Sequence, residues 1–266
     1  MIRILILLAF ISFFSGAKAQ DRVFTYTYQS GVLNKGQKEI EVWSTLANGR
    51  TDYYKGLDHS LEFELGLGHK MQTAFYLNYG YSSGVTSEDG TKSLVSSTDY
   101  SFSNEWKIKL TDPMANRLGS ALYLEYSIAP TATAVEGKLI LDKQMGKFTS
   151  AFNLVGEYEV ENDFISQGAN IVSVKRDQFA LEMNYGLSYR IKKDLSIGFE
   201  AFNKNQMMGT TAARSILLAG PCLSYRSNAF WINLTCLPQI ANLQGGGLEL
   251  NENERLQTRL IFSYEF

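Results

Sequence analysis

Cysteine and histidine occur only twice each in the 266 residues, and proline four times. Two cysteines cannot staple a disulfide scaffold, and with two histidines (His59, His69) they leave little thiolate or imidazole for a metal centre. Scarce proline alongside 45% apolar residues is equally unlike a collagen or a disordered tail. Neither charge sign is in excess: 25 Lys and Arg oppose 27 Asp and Glu, so the basic surface of a nucleic-acid binder is missing. Beyond residue 19 no apolar run approaches the ~18 residues of a membrane helix, which excludes a helical membrane protein.

What is present begins with a processing signal. Arg3 precedes an apolar run over residues 4–14, and Gly16-Ala17-Lys18-Ala19 supplies the small residues of a cleavage site. The run is too short for a stop-transfer helix. Residues 1–19 are expected to be a signal peptide, and Gln20 after the cut offers no thiol for a lipid anchor.

The rest alternates. In residues 60–68, Leu61, Phe63, Leu65 and Leu67 share one parity, and Ser60, Glu62, Glu64, Gly66 and Gly68 the other. Only a strand separates such sets onto two faces. After His69-Lys70 the pattern resumes with Met71, Thr73, Phe75, Leu77 and Tyr79, which makes a tight hairpin. Runs at 37–47, 100–110, 118–128, 135–141, 148–160, 179–191, 195–203, 215–226, 229–239 and 255–266 bring the count to twelve. The connections alternate too. Those at 69–70, 111–117, 143–147, 192–194 and 227–228 are short, whereas 48–59, 82–97, 161–177, 204–214 and 241–254 are long and polar, with 129–134 the short exception. Short turns on one side, long loops on the other and an even strand count describe an all-β, antiparallel up-and-down transmembrane β-barrel over 37–266, both termini periplasmic, in the outer membrane of a Gram-negative bacterium.

A soluble sandwich also alternates, but its strands centre on about five or six residues, against the ~10 that cross a bilayer at a tilt. Here the non-apolar face mixes Gly, Ala, Ser, Asn and Tyr with charge, as a confined lumen would. Tyr79, Tyr100, Tyr126, Tyr158, Tyr189 and Tyr225 recur near strand ends, where amphipathic rings meet the bilayer interfaces. Phe266 closes an alternating aromatic strand and resembles the C-terminal assembly signal of Gram-negative outer-membrane barrels. Pro221 lies inside a strand and predicts a local break or bulge. Arg226 opposite Ala229 would set Cys222 against Asn233 and Cys236 against Ala219, on opposite faces, so both thiols are expected free. Asn233-Leu234-Thr235 matches a glycosylation sequon only incidentally.

Apolar residues outward leave Glu39, Glu41, Glu62, Glu64, Glu105, Lys107 and Lys109 lining one part of the lumen. Glu125, Glu136, Lys138, Glu157, Glu182, Arg190, Glu200 and Arg259 line the rest. These charges form either ladders that hold strands together or a wetted interior favouring cations. Strands ~4.8 Å apart and tilted ~40° enclose an opening of roughly 10 Å after side chains, which inward Trp43, Tyr76, Tyr123, Phe202 and Trp231 narrow further. Residues 20–36 are a periplasmic lead-in that caps the lower mouth or tucks into the lumen. Catalysis needs a serine beside a base, and Asp58-His59-Ser60 places His59 and Ser60 on opposite faces. No enzyme, metal or cofactor is therefore expected.

Tyr26-Thr27-Tyr28, the run from Leu33 through Lys35-Gly36 to Glu39-Ile40-Glu41-Val42-Trp43, then Glu62-Phe63-Glu64-Leu65-Gly66 and residues 72–79 together resemble a family of uncharacterised outer-membrane barrels with a Tyr-x-Tyr, Leu-x-Lys-Gly, Glu-x-Glu-x-Trp opening. The likeness is specific over residues 24–80. It implies a barrel and transfers no substrate or catalytic residue. The expected function is a passive channel or transport component for small solutes; the alternatives are a closed structural or surface-interaction barrel using loops 82–97, 161–177 and 241–254, then a lipid-modifying enzyme. The partners expected are the lipid bilayer and lipopolysaccharide, the barrel-assembly machinery at the C-terminal strand, and an unspecified small solute.

Overall fold

Alternation over residues 60–68 and 71–79 folds as expected, into antiparallel strands joined at His69 and Lys70, whose φ angles of 52° and 63° make the turn that matches strand twist. The structure is a computed structural model that describes residues 22–88, 91–167, 170–208 and 211–266. The signal-peptide reading of 1–19 falls outside the described residues.

Twelve strands follow in chain order: β1 (Lys38–Asn48), β2 (Tyr54–Gly68), β3 (Met71–Glu88), β4 (Thr91–Thr111), β5 (Gly119–Ile128) and β6 (Ala132–Met145). Then come β7 (Phe148–Gln167), β8 (Asn170–Arg190), β9 (Leu195–Met208), β10 (Thr211–Arg226), β11 (Phe230–Asn242) and β12 (Leu256–Glu265). Each pairs antiparallel with its chain neighbour, and β1 pairs β12 from Glu39↔Glu265 to Asn48↔Leu256, closing the barrel. Closure is what hydrocarbon demands, because every unpaired N–H or C=O there costs several kcal/mol. The Phe266 N–H completes the seam by donating to the Lys38 carbonyl at 3.0 Å.

The two faces invert those of a soluble protein. Leu77 is 61% exposed on the outside, together with Leu122, Leu124, Leu139 and Leu154, while Glu62 on the inside is 0% exposed. Aromatic rings pack outside near the short-turn end, Phe148 tilted against Tyr189 at 4.9 Å and Phe230 stacked on Phe262 at 6.1 Å. Tyr79 and Tyr100 pair nearer the other end. Among the described residues no helix is long and apolar enough to cross a membrane; the strands are the crossing elements.

Three long polar loops expected from the sequence are mostly strand. Over 82–97, 161–177 and 204–214 the ladders β3–β4, β7–β8 and β9–β10 run on beyond the apolar belt. Ser and Thr occupy both faces of the first hairpin, so no apolar contrast betrays its period. Its backbone nevertheless pairs from Ser82↔Ser97 to Glu88↔Thr91, and Ser96 donates to Ser83 at 3.1 Å. The 48–59 connection shrinks to 49–53. Residues 243–255 remain a loop, pinned across the mouth where Gln239 Nε2 donates to the Glu249 carbonyl at 2.9 Å and Thr51 N to the Leu250 carbonyl at 2.7 Å.

The β10–β11 register also differs by two positions from the sequence expectation. Arg226 faces Trp231 rather than Ala229, because the turn takes in residues 227–229, so Cys222 lies opposite Thr235. Cys222 is buried inside the barrel and Cys236 occupies the outward parity; both are free. The break expected at Pro221 is present: pairing with β11 lapses over 219–221 while pairing with β9 continues through Pro221↔Phe199. Gly220 tolerates no side chain there, since a Cβ would sit 2.0 Å from the Cys236 carbonyl oxygen.

Candidate functional site

A lumen lined with charge has to be hydrated or filled. Residues 22–33 fill it. Phe24, Thr25, Thr27 and Ser30 are fully buried, and Tyr26, Tyr28 and Leu33 nearly so. Inside the barrel this segment makes no ladder; wall side chains hold its backbone instead. Glu200 Oε1 accepts from the backbone N–H groups of Tyr26 (2.9 Å) and Thr27 (2.8 Å), and Oε2 accepts from the Thr25 backbone N–H (3.0 Å) and from the hydroxyls of Thr25 (3.2 Å) and Thr235 (2.6 Å). Asn153 works as a strand edge would: its Oδ1 accepts from Tyr28 N at 2.6 Å and its Nδ2 donates to the Tyr28 carbonyl at 2.9 Å. Gln72 Oε1 accepts from Leu33 N, and Asn233 Nδ2 donates to the Arg22 carbonyl. Buried polar backbone requires such partners.

Rings seat the segment. Phe24 occupies space that Gly186 leaves open, where an added Cβ would lie 2.7 Å from the ring. Tyr26 stacks on Phe202 at 5.5 Å and packs with Ile216, Leu218 and Leu237, which explains why apolar residues face the lumen on β10. Tyr28 meets Tyr123 edge-on at 5.5 Å. Cations cover the rings: Lys138 Nζ lies 4.2 Å from both the Tyr28 and Tyr123 centroids, and the Arg259 guanidinium 3.9 Å from that of Tyr26.

The segment separates two cavities with no lining residue in common. One, of about 470 Å³, runs from Arg50, Glu252 and Glu254 at the loop end to a floor of Tyr26, Tyr28 and Trp43. An adjoining space of about 270 Å³ is lined by Glu125, Glu136, Glu157 and Arg259. The other, about 200 Å³, opens at the short-turn end between Gln29, Leu33, Lys109 and Asp142.

The sequence-expected lumen residues fall into four groups. Glu39, Glu41, Glu62, Glu64, Glu105 and Lys107 are buried together on β1, β2 and β4. Glu125, Glu136, Lys138, Glu157, Glu182 and Arg259 line the loop-side cavities; Lys138 pairs with Glu136 at 2.8 Å and Lys204 with Glu182 at 3.6 Å. Glu200 stands alone as the hub of the inner segment. Lys109 and Arg190 sit at the short-turn rim, Lys109 bonded to Asp112 at 2.6 Å and Arg190 exposed at the end of β8. Asn153, Gln72, Asn184 and Asn233 were not anticipated. Uncharged amides on an inward parity carry no distinguishing signal until a buried backbone is placed against them.

A second unanticipated contact lies outside. Ser44, opposite His59 in the β1–β2 register, places its Oγ 2.8 Å from His59 Nδ1 on the outward face. Among the described residues no acidic side chain hydrogen-bonds His59 as the orienting member of a hydrolytic triad would.

A closed twelve-stranded antiparallel barrel, apolar outside and polar inside, is the architecture of outer-membrane β-barrel proteins. The chain belongs to a family of unknown function, DUF6662, whose model matches residues 16–266. Among curated proteins nothing matches. Among solved structures, the fold is similar to that of an outer-membrane channel from Pseudomonas putida F1, with a TM-score of 0.64 and 14% identity over 92% of this chain and 100% of the other. It is similar to the NanC porin (TM-score 0.54, 9% identity, 85% and 98% covered). The translocator domain of the autotransporter NalP from Neisseria meningitidis shares it too (TM-score 0.56, 12% identity, 88% and 89% covered). At these identities the likeness is one of fold.

Proposed function

We propose that the protein is a channel in the Gram-negative outer membrane for small polar solutes, with both termini periplasmic and with residues 22–33 as its internal gate. The observation that carries this reading is the pair of cavities, one from each mouth and the loop-side one polar, that meet on a segment held by side-chain hydrogen bonds and ring contacts rather than by strand pairing. Such a segment can leave without unpicking the barrel. Glu125, Glu136, Glu157, Glu182, Glu252 and Glu254 outnumber Arg50, Lys138, Lys204 and Arg259 along the loop-side cavities, which favours cations. The lipid bilayer and lipopolysaccharide meet the apolar belt, and the assembly machinery reads the strand ending at Phe266. No enzymatic role is assigned: among the described residues no acidic side chain hydrogen-bonds His59 of the Ser44–His59 pair.

Planar-bilayer recordings test the proposal. The full-length mature chain should show small, cation-leaning conductance, and a variant lacking residues 22–33 a much larger one. A barrel that stays sealed after that deletion favours the second reading, a closed structural barrel, which the dense packing around Tyr26 and Tyr28 supports.

A further inference from the structure

We propose that the inner wall of β1 and β2 holds a hard divalent cation of the calcium class, bound by Glu39, Glu41 and Glu64. In the β1–β2 register Glu39 faces Glu64 and Glu41 faces Glu62, so two successive cross-strand pairs set carboxylate against carboxylate on one buried face. Like charges directly opposed destabilise a sheet, and burial strengthens the repulsion. The neighbouring positive groups are too few. Arg22 reaches Glu41 at 3.4 Å, and Lys107 is buried on the same interior, against Glu39, Glu41, Glu62, Glu64 and Glu105.

Hydrogen bonding leaves the deficit in place. Trp231 Nε1 donates to Glu39 Oε1 at 2.7 Å, Ser263 adds its hydroxyl there, and Trp43 Nε1 donates to Glu41 Oε2 at 2.7 Å. Among the described residues no N–H or O–H group donates to Glu39 Oε2 or Glu64 Oε2, both of them buried. Independently, Glu62, outside the three-ligand set and fully buried, has among the described residues no N–H or O–H donor to either oxygen; its carboxyl lies beside that of Glu64 and opposite Glu41 on the same face. Carboxyls packed this way are neutralised either by shared protons or by a bound cation, and the ligand spacing points to the cation.

One oxygen each of Glu39, Glu41 and Glu64 lie within 4.8 Å of one another, close to twice a calcium–oxygen distance of about 2.3–2.6 Å. An all-carboxylate set with no thiolate or imidazole selects a hard dication over zinc or copper. A cation here would tie the strand that closes the barrel to β2 and, through Glu41, to Arg22 of the inner segment. The site does not depend on conduction, and a sealed barrel could hold it equally well.

The tryptophans hydrogen-bonded to two of the ligands supply the test. The full-length mature chain, refolded in detergent free of lipopolysaccharide, should show terbium emission on tryptophan excitation, saturating at one ion per barrel and displaced by Ca²⁺ ahead of Mg²⁺. The double variant Glu39→Gln/Glu64→Gln should weaken binding by roughly tenfold or more, with heat-modifiable migration confirming that it folds, while Glu182→Gln in the loop-side cavity should bind as the parent does. Emission that survives in the folded double variant would overturn the proposal. If that variant does not fold, equilibrium dialysis of the parent with Ca²⁺ decides: no uptake by folded barrel would mean that the carboxylates share protons and hold no metal.

Discussion

Glu200 Oε1 accepts the backbone N–H of Thr27 at 2.8 Å, joining the lumen wall to a segment 173 residues earlier in the chain. Together with Thr25 and Tyr26 this gives one carboxylate three backbone donors, which makes Glu200 the principal latch of the inner segment. In Glu200→Ala those three N–H groups lose their acceptor, at about 1–3 kcal/mol each if they stay buried. The segment should therefore swing free. Single-channel recording should show higher and noisier conductance than the parent, and protease should nick residues 22–33 in the folded barrel. Parental conductance would remove Glu200 from that role.

Phe24 depends on Gly186 in the same way. Gly186→Val fills the space the ring occupies, and overpacking of this kind costs about 1–3 kcal/mol. Because the barrel wall is paired throughout at this position, the displacement should fall on the inner segment. Conductance should rise as in Glu200→Ala, with heat-modifiable migration unchanged.

Leu124 points outward near the middle of β5 and is 52% exposed to what would be acyl chains. Leu124→Arg should lower folding stability in vesicles by about 2–4 kcal/mol. Ser127→Arg on the same strand faces the loop-side cavities and should cost far less. Equal losses in urea titrations would contradict the assignment of faces.

The turn after β4 is acid-sensitive. Lys109 Nζ, with the N–H groups of Met114 and Ala115, holds the Asp112 carboxyl down from its ordinary 3.8 to about 2. A depressed folded-state value means that the stabilisation is complete above about pH 4 and fades as pH falls towards 2. Asp112 is exposed, so the effect is small. Acid titration of refolded barrel should show Asp112→Asn losing the part of the parent's pH dependence that lies in this window.

Phe266 closes the β1–β12 seam through its N–H and stacks on Tyr264 at 6.4 Å. Its deletion should reduce the yield of assembled barrel in the outer membrane while leaving the conductance of correctly folded molecules intact. Normal assembly would show that the terminal ring is not what the machinery reads.

Leu61, Phe63 and Leu65 against Glu62 and Glu64 already declare a two-faced strand, because side-chain direction reverses at every residue and needs no distant partner. From that local rule came the twelve strands, the inverted faces, the short turns and the free cysteines, and from proline's missing ladder donor the break at Pro221. The length of the β3–β4 hairpin was not legible, since Ser82, Ser83, Ser96 and Ser97 give both faces the same polarity and only backbone pairing shows that the strand continues. The Arg226↔Trp231 register was hidden as well, for turn size decides it. Tertiary structure alone determined that residues 22–33 enter the lumen, that Glu200 and Asn153 clasp their backbone, and that Glu39 and Glu64 face each other. These are long-range matters, settled by which buried polar groups find partners once the barrel has closed, and alternation along a single strand holds no record of them.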